Sequence, residues 1–245
     1  MKNLTASILG ATGLAGNYCL QYLLQDSGYS AIKVLTRRGL GFSHPKLQEH
    51  LIDFEELENF RQVIQSDHLF CCLGTTIKQA GSKADFCRID YFHPLTLARV
   101  ARENQVRQFI LISALGANEK SKIFYIRTKG ELERSIIELQ FPGTLIFRPS
   151  LLLGERSESR SGEKFRAFIL RGMKPFLQGS LKKYRPIRAQ TLAVAMVEMA
   201  KIDLKGIHIF ESDQIQFFSD RLQKNSQAGI ISVILPGNQK GKNPT

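Results

Sequence analysis

Gly10, Gly13 and Gly16 are spaced GxxGxxG, directly after the short apolar stretch 6–9 and at the start of a segment with helical periodicity from Leu14 to about Gln25. A strand that turns into a helix through such a loop needs glycine for three separate reasons. Gly10 lets the chain turn sharply off the strand, Gly13 lets the backbone approach a pyrophosphate, and Gly16 lets the helix pack close on the sheet. The amides of the first helical turn then face the phosphates, helped by the helix dipole. Ala15, Cys19 and Leu23 share one face at i, i+4 and i+8, the stripe that such a helix buries.

The rest of the chain repeats the alternation. Apolar runs at 31–35, 69–73, 109–113 and 144–147 read as strands, and residues 47–52 as a further strand before Asp53. Between them lie a polar helix over 55–64, a long helical region over 84–104 and a helix over 125–139 with Leu132, Ile136 and Leu139 on its apolar face. Pro94 inside the long region predicts a kink or two helices. Strands that are apolar without alternating belong to a parallel sheet covered on both faces. The expected fold is therefore α/β, a Rossmann-type doubly wound parallel sheet with a small C-terminal substrate or lid region. Residues 1–150 form the nucleotide-binding core and 151–210 complete the same domain, with a helix over 191–201 and a last strand over 207–210. Residues 211–245 are a tail without an assigned role.

The end of the second strand selects the cofactor. An acidic residue there would bind the ribose 2′-hydroxyl of NAD; this chain has Arg37 and Arg38. A guanidinium pairs with a 2′-phosphate and stacks on adenine, which argues for NADPH. Asp53, after the third strand, is placed either to meet the adenine amino group or to cap a helix. Ligands of open α/β sheets sit at the carboxyl ends of strands, so Leu73 and Gly74 line the expected cleft. Cys71 and Cys72 read as small core residues, with no sequence-near cation to activate them. Tyr125 and Lys129 form a YxxxK, which on a helix points phenol and ammonium into one cleft. A tyrosine is a poor base near neutral pH, and a nearby ammonium lowers its pKa toward the working range. Ser113, at the end of the fifth strand, is placed to hydrogen-bond a substrate carbonyl or the phenolic oxygen.

Charge and composition narrow the partners. The net charge is +12, and residues 155–188 hold ten Lys/Arg against three Glu, so the positive charge is local. It suits an anionic substrate or partner, or a solvated basic face. No run of 18 uncharged apolar residues exists, so no membrane span is expected, and the N-terminus does not read as a signal peptide. Four cysteines, Cys19, Cys71, Cys72 and Cys87, form no CxxC, which reads as free thiols in a reducing, cytoplasmic setting. The five histidines are scattered and predict no metal site.

The segments ILGATGLAG, LTRR, IDFEEL, FCCLGTT, ISALGAN, FYIRTKGELE and LIFRPSLLLGERSESRSGE resemble those of short-chain dehydrogenases/reductases. More narrowly, they are similar to the atypical branch that contains the Tat-interacting-protein-like proteins. The resemblance covers residues 6 to about 170. It implies nucleotide contacts at Thr12, Gly13, Leu14, Ala15, Arg37, Arg38, Leu73, Gly74, Tyr125, Lys129, Leu152 and Arg160, and a catalytic set of Ser113, Tyr125 and Lys129. The implied reaction is hydride transfer from NADPH to a carbonyl carbon, with Tyr125 giving the proton. The alternative is an NADPH-binding regulatory or interaction protein with little turnover, engaging a protein partner. Nucleic-acid binding through the basic stretch ranks last, because no zinc-ligand spacing or aromatic ladder accompanies it.

Overall fold

The computed structural model describes residues 3–154 and 179–228. In chain order its strands are β1 (Leu4–Leu9), β2 (Tyr29–Thr36), β3 (Leu47–Leu51), β4 (His68–Cys71), β5 (Gln108–Ile112), β6 (Gly143–Arg148), β7 (Leu152–Leu153), β8 (Ile187–Arg188) and β9 (Gly206–Glu211). Seven of them form one sheet in the order β3-β2-β1-β4-β5-β6-β9, every neighbouring pair parallel. β7 and β8 pair separately. The strand order reverses between β1 and β4, and the crevice at their carboxyl ends is where a doubly wound sheet receives a ligand. The expected Rossmann-type fold is thus the one observed.

The apolar central strands serve two cores. On β1, Ile8 belongs to one cluster and Leu9 to the other; on β5, Ile110 and Ile112 face one way and Phe109 and Leu111 the other. Helices α1 (Leu14–Gln25) and, later in the chain, 189–201 cover the first face. Ala15, Cys19 and Leu23 are buried there, as their spacing requires.

The second face is covered by a helical run interrupted at Pro94. After α2 (Ile77–Ala80) come α3 (Lys83–Cys87), a π-helical turn over Arg88–Phe92, and α4 (His93–Glu103). Pro94 has no N–H to return to the carbonyl of Asp90, so the ladder widens: the His93 amide donates to the Arg88 carbonyl, five residues back. The expected kink is absorbed as this single wide turn. α5 (Phe124–Glu138) completes the second face, with Leu132 and Ile136 fully buried.

Two segments differ from the sequence expectation. The polar helix over 55–64 is a 3₁₀ turn, Phe54–Phe60, because Glu56 leaves helical geometry at φ −120°, ψ 32°. And beyond α6 (Ala189–Lys201) and β9, residues that carry no motif form α7 (Ser212–Ala228). Ile215 and Phe218 of α7 are buried, and the Phe218 ring meets Phe210 of β9 edge-on at 5.6 Å. That burial fastens the last strand to the core.

Candidate functional site

The glycine turn is built without room for side chains. Gly10 has φ +82°, a left-handed conformation, and a Cβ there would lie 2.7 Å from the backbone of Cys72 and Leu73. A Cβ on Gly16 would overlap the carbonyl oxygen of Gly10. The Gly13 amide donates to that same oxygen at 3.0 Å. The turn before α1 therefore packs directly on the loop after β4, and Gly13, the boundary residue of α1, offers no side-chain cap. The first-turn amides are left for a ligand, a cradle that fits a dinucleotide pyrophosphate. Thr12 is exposed and Leu14 half-buried beside this turn, whereas the Ala15 side chain is buried in the core, so only its amide faces the site. Leu152 is half-buried on β7, and Gly154 just after it abuts the Leu14 side chain.

Arg37 and Arg38 follow β2 and are exposed. The Arg37 guanidinium lies 5.8 Å from the centre of the Phe54 ring, and among the described residues neither arginine forms an ion pair with a carboxylate. Both remain available to an anionic ligand. Asp53 accepts the Glu55 amide at 2.9 Å, which is the capping alternative; its carboxylate is exposed. Arg160 lies outside the described residues.

Tyr125 and Lys129 occupy successive turns of α5 on one face, and Glu133 continues the stripe. Lys129 is buried and its Nζ lies 2.7 Å from Asp90 Oδ1 in the π-helical turn. The second Asp90 oxygen accepts the Thr75 amide at 2.8 Å. Gly74 adjoins the pair: a Cβ there would lie 3.5 Å from Asp90 Oδ1 and 3.7 Å from Lys129 Nζ. Burial works to lower the Lys129 pKa, but the Asp90 carboxylate and Tyr125 outweigh it and hold the ammonium above its ordinary value. Tyr125 is half-buried, its ring 5.5 Å from that of Phe86. Burial pushes its phenol up, Lys129 pulls it down, and Asp90 pushes it up again; the net direction is upward. The expectation that Lys129 brings the phenol toward the working range is therefore corrected, because burial, joined by Asp90, outweighs the ammonium.

Ser113 follows β5, its amide donating to the Phe147 carbonyl at 2.7 Å. Its hydroxyl is buried and has no hydrogen-bond partner among the described residues. It is thus not bonded to the Tyr125 oxygen, one of its two expected roles, and is left for a ligand oxygen. Cys71 is buried beside this cluster; burial and the neighbouring Cys72 push its thiol up to about 12. The Cys72 thiol is raised by a hydrogen bond with Cys19 and by burial. All four cysteines are free, and these two are inert packing groups. Among the described residues no cluster of His, Cys, Asp and Glu is arranged to hold a metal, and no helix is long and apolar enough to cross a membrane.

Asp90 and Glu133 escape sequence reasoning. Glu133 is buried and grips Arg148, at the end of β6: Arg148 Nε donates to Oε1 at 3.0 Å and Nη2 to Oε2 at 2.5 Å. For Asp90 a signal existed: it stands four residues before Pro94, where the helix cannot stay regular. Glu133→Leu leaves Arg148 without its partner. It is expected to cost about 3 kcal/mol in a urea melt, the low end for a broken buried pair, because Arg148 keeps some solvent contact.

The model of the NAD dependent epimerase/dehydratase family matches residues 6–187. The chain belongs to that family. Within the epimerase/dehydratase family it is 36% identical over 167 residues to Protein HTATIP2 of Rattus norvegicus, covering 66% of this chain and 69% of the relative. It is 35% identical over 206 residues to Protein FMP52, mitochondrial, of Candida albicans, covering 81% and 89%. These relatives bear out the atypical short-chain dehydrogenase/reductase resemblance. Among solved structures, the Bordetella bronchiseptica enzyme WbmH in complex with NAD+ superposes with a TM-score of 0.65 at 15% identity, covering 94% of this chain and 84% of that one. The UDP-N-acetylglucosamine 4-epimerase of Methanobrevibacter ruminantium gives 0.65 at 16%, covering 91% and 83%. The cytoplasmic setting expected from the cysteines is overturned, since FMP52 relatives from Candida albicans, Scheffersomyces stipitis and Debaryomyces hansenii are named mitochondrial. Cys19 and Cys71 are buried, and a buried thiol is shielded from oxidation wherever a protein resides, so these two do not report its compartment.

Proposed function

We propose that this family member is an NADPH-dependent oxidoreductase that reduces a carbonyl substrate through Ser113, Tyr125 and Lys129. One observation carries the reading: a phenol, a buried ammonium and an unshared serine hydroxyl lie along the same carboxyl edge of the sheet as the glycine turn. The amides of Gly13, Leu14 and Ala15 hold the pyrophosphate, with Gly10, Thr12 and Gly16 shaping the turn. Leu73, Gly74 and Leu152 line the nucleotide, and Asp53 borders it. When bound, the reduced nicotinamide supplies the hydride. Ser113 Oγ donates a hydrogen bond to the carbonyl oxygen, and Tyr125 Oη gives that oxygen its proton. Lys129 spends one of its three donors on Asp90 and keeps the others for ribose hydroxyls. The raised Tyr125 pKa supports the direction, because a protonated phenol is an acid. The basic stretch supports an anionic substrate, and the names of the FMP52 relatives support a mitochondrial setting.

Arg37 and Arg38 carry the choice of nucleotide. The purified protein is expected to bind NADPH at least about tenfold more tightly than NADH, a difference of about 1.4 kcal/mol, measured by calorimetric titration. Equal affinities would remove the 2′-phosphate role of the two arginines. The proposed activity is tested by NADPH oxidation across a broad panel of aldehydes and ketones, acidic ones included. If none is turned over while NADPH still protects the protein against heat, the regulatory, partner-binding alternative takes its place.

A further inference from the structure

Asp90 is fully buried, and a carboxylate so deep is costly to desolvate unless its partners hold it. Here both oxygens face cationic or N–H groups, Lys129 Nζ at 2.7 Å and the Thr75 amide at 2.8 Å. The π-helical turn that carries Asp90 is fastened to α5 a second time, by the 3.1 Å hydrogen bond between Tyr91 Oη and Ser135 Oγ. The carboxylate therefore joins three pieces of the site: the loop after β4, the wide turn before Pro94, and the helix of Tyr125 and Lys129.

We infer that Asp90 is a positioning residue: it pins the Lys129 ammonium against the loop after β4 and offsets part of that charge as Tyr125 feels it, so that Tyr125 remains a phenol ready to give a proton. The inference rests on the reading of Tyr125 as proton donor. Among the described residues, few charged and titratable groups surround the phenol. Lys129 faces it from its own helix and Asp90 from the π-helical turn, while Cys71 faces Lys129 from β4. Cys71, pushed up to about 12, is neutral near neutral pH and contributes no charge. Among the described residues, burial and the balance between one cation and one anion set the protonation of Tyr125. In the step this serves, the carbonyl carbon receives a hydride from the nucleotide and its oxygen a proton from Tyr125. The nucleotide is oxidised, and the phenolate regains its proton from water.

The test is a pH titration followed by carbon-13 NMR of protein labelled at the tyrosine Cζ, with the Tyr125 signal identified by its loss in Tyr125→Phe. In the unaltered protein Tyr125 is expected to ionise above the ordinary value of about 10. In Asp90→Asn the midpoint falls by about one to three pH units, because the ammonium is no longer compensated. Asp90→Glu restores it. The alkaline limb of carbonyl reduction moves to lower pH in Asp90→Asn and returns in Asp90→Glu, which a merely structural residue would not produce. An unchanged midpoint in Asp90→Asn overturns the inference. So does Tyr125 ionising below about 10 in the unaltered protein, a result that needs no variant to fold. Because the titration is read without turnover, expected midpoints together with no reduction of any carbonyl uphold the charge-offsetting role of Asp90 and overturn the oxidoreductase reading alone.

Discussion

Tyr125→Phe is expected to lower carbonyl-dependent NADPH oxidation by about 10²- to 10⁴-fold, the contribution of a positioned proton donor. The variant removes one oxygen and little else. The ring keeps its contact with Phe86, and α5 keeps Leu132 and Ile136 in the core, so the fold has no reason to change. The pair between Lys129 and Asp90 also survives, since neither needs the phenol as its main partner. Nucleotide affinity should therefore stay within a few-fold of the unaltered protein, read as the rise in melting temperature on adding NADPH. A loss confined to kcat, with thermal protection intact, assigns the hydroxyl to the proton transfer. Loss of both would mean that Tyr125 holds the nucleotide and that the proton comes from another group.

Gly16→Ala should instead strike binding. The new methyl group would occupy the position of the Gly10 carbonyl oxygen, which is backbone and cannot swing aside. Either α1 moves off the sheet or the turn opens, and both displace the amides that form the cradle. Overpacking of this kind costs about 1–3 kcal/mol of stability. A displacement on the order of 1 Å at the cradle weakens nucleotide binding by about 10²-fold. A lower urea midpoint and the absence of thermal protection by NADPH are the expected results. Normal protection would mean that the pyrophosphate is held somewhere other than at the start of α1.

The contrast between what the sequence discloses and what it hides has a physical basis. Local patterns disclosed the strands, the burying stripe of α1 and the glycine turn, because each follows from spacing within a few residues. Gly16 is the clearest case: its role as a close-packing residue follows from its place in the motif, and the overlap with Gly10 bears it out. The upward Tyr125 pKa is hidden from the sequence because its causes are burial first, and then Asp90 from another element, 35 residues earlier in the chain. Pairings such as Lys129 with Asp90 or Arg148 with Glu133 exist only once helices are laid against strands, and no periodicity encodes them. α7 was missed for a related reason. Its buried positions, Ile215 and Phe218, stand among polar residues, and only the docking against Phe210 reveals which side turns inward.

The two-sided core divides labour across the sheet. The helix that begins at the glycine turn packs on one face and the helix bearing Tyr125 and Lys129 on the other, with separate sets of buried side chains beneath them. A cavity opened under α1, as in Leu23→Ala, and one opened under α5, as in Leu132→Ala, share no packing partners. Their costs should add almost independently. On the proposed reading, grip on the cofactor and supply of the proton can therefore drift apart in descendants of this chain, one weakening while the other is kept, without the scaffold between them giving way.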